Sequence, residues 1–157
     1  MHHMPKRHAS LIPLTHDHHH ALAQARRLRI AAAGDGADLL GQSKEFFHFF
    51  HDETIEHFRE EEEIVFPLGE GDERAQRLLA RVMLEHLQLH AGVSSLGAQI
   101  DEGKISPEVA IQLADALESH IRFEEGEVFP LLEQVVPQDR LDAIALPPRN
   151  RAERPSP

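Results

Sequence analysis

Two stretches of the chain are near-copies of each other. His57-Phe-Arg-Glu-Glu61 leads to Phe66-Pro67-Leu68, and His120-Ile-Arg-Phe-Glu124 leads to Phe129-Pro130-Leu131. In each, the His and the Glu stand four residues apart. Four residues of α-helix turn through 400°, so the two side chains sit about 40° apart and about 6 Å along the axis. An imidazole and a carboxylate held that way can grip one cation from one helix face. Having the pair twice predicts two half-sites that face each other.

Helical periodicity runs through the rest of the chain, and no strand pattern competes with it. Pro13 and Thr15 mark the start of a first helix, with Thr15 as its cap and Leu14, His18, Leu22, Ala25, Leu28 and Ala32 as its inner stripe; Gly34-Asp35-Gly36 ends it. A second helix is expected from Asp38 to Phe66, facing inward through Phe47, Phe50, Thr54, His57, Glu61 and Ile64. Asp72 caps a third, reaching Asp101, with Leu79, Val82, Met83, His86, His90, Val93, Leu96 and Ile100 inside. Ser106-Pro107-Glu108 is a strong start signal for a fourth, carrying Val109, Leu113, Leu117, His120, Glu124 and Val128. Pro130 is expected to disturb the end of that helix, and a short fifth segment spans about Asp139 to Ala145. The expectation is all-α: an up-down-up-down four-helix bundle with a short C-terminal extra helix. Residues 1–10 are expected to be a flexible start, 11–146 the bundle, and 147–157 a disordered Pro/Arg tail.

The inner stripes carry His18, His57, Glu61, His86, His90, His120 and Glu124, five imidazoles and two carboxylates where Leu-type residues belong. Counted along each helix at ~1.5 Å per residue, they fall in one layer. Buried without partners they would each cost several kcal/mol, and bound cations offset that. Seven mixed nitrogen and oxygen donors exceed one tetrahedral zinc. They suit two six-coordinate ions that share carboxylates, with room for a solvent bridge and one small exogenous ligand. The other histidines read more simply. His16, His19 and His20 belong on the surface or beside the inner set, and His48 and His51 belong among phenylalanines as packing residues. The acidic run Glu60 to Glu63 reads as a solvated face from which one carboxylate points inward.

These residues resemble the hemerythrin-like family of HHE cation-binding domains. The resemblance spans Leu11 to Val136 and rests on Asp17-His18, His57-x-x-x-Glu61, His86-x-x-x-His90 and His120-x-x-x-Glu124. It implies a non-haem di-iron centre, two iron ions bridged by carboxylate and solvent. In it His86, His90 and His120 hold one iron, His18 and His57 hold the other, and Glu61 and Glu124 bridge. The chain departs from the oxygen-carrying pattern in two places. There the last bridging acid follows its His by five residues, which makes Glu125 an alternative to Glu124. Helix one also offers neighbouring histidines, with His19 the alternative to His18.

The net charge is 16 − 27 = −11, so a nucleic-acid partner is not expected. With no cysteine there is no thiolate site, and no apolar run is long enough to span a bilayer, which points to a cytoplasmic protein. The expected function is a binding protein that takes oxygen or a related small ligand, nitric oxide or peroxide, for sensing, storage or protection, with its redox partner unidentified. The alternatives are a di-iron oxidase or ferroxidase, for which Glu45-x-x-His48 is the single matching motif, and an iron-handling or zinc-binding bundle without oxygen chemistry.

Overall fold

The computed structural model describes residues 6–149, and among these every regular element is helical. A 3-10 turn, Ala9–Leu11, leads into α1 (Ile12–Ala33) with Pro13 in its first turn. Thr15 is not the cap: it lies inside α1 and donates its hydroxyl hydrogen to Glu125 at 2.9 Å. α4 (Glu73–Glu102) starts as expected at Asp72, whose carboxylate accepts the Ala75 N–H at 3.0 Å. It ends at Gly103, whose φ of 74° is the left-handed turn that glycine adopts without strain. α5 (Pro107–Phe123) opens on Ser106, which accepts the Val109 N–H at 3.4 Å.

The second arm is helical from Leu39 to Gly69, but it is not one α-helix. It runs as α2 (Leu39–Phe49), a π turn at Phe50–Thr54, α3 (Ile55–Glu60), a second π turn at Glu61–Val65 and a 3-10 turn at Phe66–Gly69. A third π turn, Glu124–Val128, joins α5 to α6 (Phe129–Val135). Pro130 therefore opens a helix instead of spoiling the end of one, because a first-turn residue needs no N–H. The last element is α7 (Gln138–Asp142).

Each π turn takes in an extra residue and shifts the helical phase of the residues beyond it. Accordingly the buried residues are Phe46 and Val65, while the expected Phe47 and Ile64 are only partly covered. On α4 the buried line is Val82, His86, Leu89, Val93 and Leu96. At 100° per residue that line is centred about 40° to one side of His86, and His90 stands about 40° to the other. His90 is exposed, and Met83 on the same edge is 39% exposed.

α1 packs on α2 and α5, and α4 packs on the same two. The apolar interior forms two clusters with a polar layer between them. Along α1 the order is Leu14, His18, Ala21; along α4 it is Val82, His86, Leu89. Leu14 and Val82 belong to one cluster, with Val65, Phe66, Phe123 and Phe129. Ala21 and Leu89 belong to the other, with Phe50, Phe58, Leu117 and Ile121.

Of the expected flexible start, residues 1–5 lie outside the described residues. Arg7 pairs with Glu133 and Glu125, and the His8 N–H donates to Glu133 at 2.8 Å. Of the expected tail, residues 150–157 lie outside the description, whereas Arg149 folds back onto Glu60 and Asp17. That contact explains why the acidic run buries two carboxylates, Glu60 and Glu61, and not one.

Candidate metal centre

The polar layer is built from α1, α3, α4, α5 and the first residues of two π turns. His18, His57, His86 and His120 are each at most 4% exposed, and Glu61 and Glu124 are fully buried. Their donor atoms form two sets, His18–His57–Glu61–Glu124 and Glu61–His86–His120–Glu124, each with all atoms within 4.8 Å of one another. The two carboxylates are common to both. Glu61 turns Oε2 to His57 at 3.3 Å and Oε1 to His86 at 3.4 Å. Glu124 turns Oε1 to His18 at 3.0 Å and His120 at 3.5 Å, and Oε2 toward His86 at 3.9 Å.

Each imidazole points Nε2 into the layer and Nδ1 at a carboxylate behind it. His57 Nδ1 donates to Asp17 at 2.9 Å, His120 Nδ1 to Glu85 at 2.8 Å and His18 Nδ1 to Glu125 at 2.7 Å; His86 Nδ1 stands 3.4 Å from Glu62. A carboxylate that accepts at Nδ1 keeps the hydrogen there and leaves the Nε2 lone pair free, as a cation ligand requires. His86 Nε2 and His120 Nε2 have no hydrogen-bond partner among the described residues. His18 Nε2 and His57 Nε2 approach to 3.0 Å. Two nitrogens bound at about 2.1 Å and at right angles on one ion would be about 3.0 Å apart. The donor set therefore fits metal ions on its chemistry as well as its spacing.

Protons balance the charge of these side chains in the metal-free chain. Burial works against a charged His18, but hydrogen bonds to Glu124 and Glu125 outweigh it and raise the imidazole to about 9. Burial and the neighbouring Glu124 raise Glu61 well above the usual carboxylate range. Glu124 goes the other way: burial opposes its ionisation, yet His120 and His18 hold it below that range. Burial keeps His86 neutral, lowered to about 3.

The hemerythrin HHE cation-binding domain model matches residues 12–132. The chain belongs to the hemerythrin HHE family. Comparison with curated proteins and with solved structures gave no match. No helix of this HHE domain, among the described residues, is long and apolar enough to cross a membrane.

The fold brings together six of the seven side chains singled out in the sequence. His90 is apart from them, its ring set edge-on to Phe50 and Phe58. Each of the two donor sets holds two imidazoles, and neither includes His90. Glu124 lies in both donor sets, and Glu125 backs His18 instead. His16, His19 and His20 are exposed, as are Glu45 and His48 of the ferritin-like motif. Sequence reasoning missed the backing carboxylates, although they carry a signal. The HHE domain repeats more than His-x-x-x-Glu: Asp17-His18 is matched by Glu85-His86, and Glu61-Glu62 by Glu124-Glu125. The acid before each of His18 and His86 supports the imidazole of the neighbouring arm. The acid after each shared Glu faces His86 or His18 in return. The phenylalanines obey the same rule, Phe129 stacking on His18 and Phe66 on His86.

Proposed function

We propose that this HHE domain is an up-down-up-down four-helix bundle holding two iron ions, and that it binds oxygen or a related small ligand for sensing, storage or protection. The observation that carries the reading is the pair of four-donor sets sharing Glu61 and Glu124. The alternating order of the two apolar clusters along successive arms supports the bundle topology. Residues 11–146 would form the domain.

In this reading His18 and His57 hold one ion, His86 and His120 the other, and Glu61 and Glu124 span both. Two iron ions would supply electrons to a bound small ligand and take them back on its release. The residues of the chain do the rest. Asp17, Glu85 and Glu125 fix the imidazole rings, so the donors need no rearrangement when an ion arrives. A small pocket lined by His18, His57 and His120 with Ala21, Leu117 and Ile121, and by Asp17, Glu53 and Thr54, lies against the layer and leaves space of about 10 Å³, on the scale of one small molecule. Its apolar wall keeps bulk water from the donors.

Metal analysis joined to optical spectra of the reduced protein before and after air tests the reading. The expected result is about two irons per chain and an absorption change that reverses when oxygen is removed. Protein purified without chelator that carries no transition metal would overturn the metal reading. Two irons with no oxygen-dependent change would overturn the small-ligand reading alone.

A further inference from the structure

The four imidazoles are backed unequally. Behind His18 and His57, the backing carboxylates are each paired with an arginine from one end of the described chain, Glu125 through a hydrogen bond and Asp17 at ion-pair distance only. Arg7 Nη2 donates to the Glu125 main-chain carbonyl at 2.8 Å and lies 3.3 Å from its carboxylate, while Nη1 pairs with Glu133. Arg149 Nη2 lies 3.4 Å from Asp17, while Nη1 pairs with Glu60 and donates to the Pro147 carbonyl at 3.0 Å. Both guanidiniums are largely covered, with side chains 13% and 10% exposed. Asp17 is then the acceptor for His57, and Glu125 the acceptor for His18.

Among the described residues, the other two imidazoles have no such long-range tie. Glu85, behind His120, meets Arg81 of its own helix at 3.0 Å, and that arginine is 54% exposed. Glu62, behind His86, is 31% exposed. One half of the donor layer thus depends on contacts 118 (Arg7–Glu125) and 149 − 17 = 132 (Arg149–Asp17) residues apart in sequence, whereas the tie behind His120, Arg81–Glu85, lies within a single helix.

We propose that Arg7 and Arg149 form a clasp that positions Asp17 and Glu125 and thereby governs cation retention by His18 and His57, leaving the His86–His120 half on its own support. This rests on the two-cation reading above. Both are positioning residues, since neither approaches the donor atoms. A guanidinium presents a flat fork of donors, so Arg149 can hold Asp17 and Glu60 in one geometry, which a lysine ammonium cannot reproduce. Coupling of this kind is reciprocal: if docked ends retain the cation, the cation keeps the ends docked.

The test is the kinetics of cobalt(II) release to excess chelator from the full chain, together with hydrogen exchange of residues 143–149. Two release phases are expected. Arg149→Ala and Arg7→Ala should each speed the same phase about tenfold, the scale found when the group behind a metal-bound histidine is lost. Arg149→Lys should recover only part of the loss, and Arg81→Ala should speed the other phase. Cobalt should slow exchange at residues 143–149, and Arg149→Ala should abolish that slowing. If Arg149→Ala and Arg81→Ala speed the same phase, or all phases equally, the clasp is overturned and the effect is one of general loosening. Unchanged exchange on adding cobalt overturns it also. Uptake of a single cobalt per chain overturns the two-cation reading and the half-site assignment with it, whereas two cobalts with an equal response overturn the clasp alone.

Discussion

Cation uptake should expel protons from this layer, and the site sets their number. At pH 7 His18, raised to about 9, carries a proton on each nitrogen, and burial beside Glu124 shifts Glu61 upward, toward its protonated form. Glu124 is already ionised and His86 already neutral. A cation bound at His18 Nε2 must displace its proton, so saturation should release at least one proton per chain at pH 7, and the upward shift of Glu61 can only add to that count. Each proton released strengthens uptake by about 1.4 kcal/mol per pH unit. The count should fall by one as pH rises through 9, where His18 gives up its proton unaided. The metal-free chain should show the converse. A folded pKa raised above the unfolded 6.5 stabilises fully below 6.5 and ceases to do so as pH passes 9, on the order of 3 kcal/mol in all. Titration calorimetry with zinc(II) in buffers of differing ionisation enthalpy counts the protons directly. Ionisation of cation-bound water could only add to the count, so a value near zero at pH 7 would refute this account of the layer.

His57→Ala and His120→Ala should each reduce bound metal and lower the melting temperature of the metal-loaded protein. Saturation at a hundred times Kd is worth about 2.7 kcal/mol to the native state, and full metal content in either variant would contradict the donor sets. His90→Ala should leave metal content unchanged and stability within about 1 kcal/mol, since it loses only edge contacts with Phe50 and Phe58; loss of metal would return His90 to the site. Gly103→Ala should destabilise by roughly 1–2 kcal/mol by placing a side chain at a φ of 74°, with metal content unaffected. A melting temperature equal to that of the parent would refute that strain argument.

Most of the layer was legible from sequence because its donors repeat. His57, Glu61, His120 and Glu124 announce themselves by a spacing that α-helix geometry converts into one face. The caps at Asp72 and Ser106 were legible because a short polar side chain before an apolar run satisfies the first free N–H groups. His90 misled because an i, i+4 partner of His86 looks equivalent on a helical wheel. Leu89 lies on the other side of His86, and the apolar neighbours Val82, Val93 and Leu96 side with it. Phe47 and Ile64 misled because a constant 100° step cannot anticipate a π turn. Arg7 and Arg149 were out of reach: nothing local to either residue points to partners more than eighty positions away.

The π turns that begin at Glu61 and Glu124 act as alignment shims. Each lodges one residue beyond what an α-turn needs, so the chain beyond it is rotated by about 100° relative to an uninterrupted helix. That rotation is what aims Phe66 at the His86 ring and Phe129 at the His18 ring. Deleting Glu63 or Gly126 would restore an ideal ladder of backbone hydrogen bonds. It would also swing each phenylalanine off the imidazole it now flanks, so a more regular helix would strip Phe129 from His18 and leave Phe58, stacked at 3.7 Å, to cover His86 without Phe66.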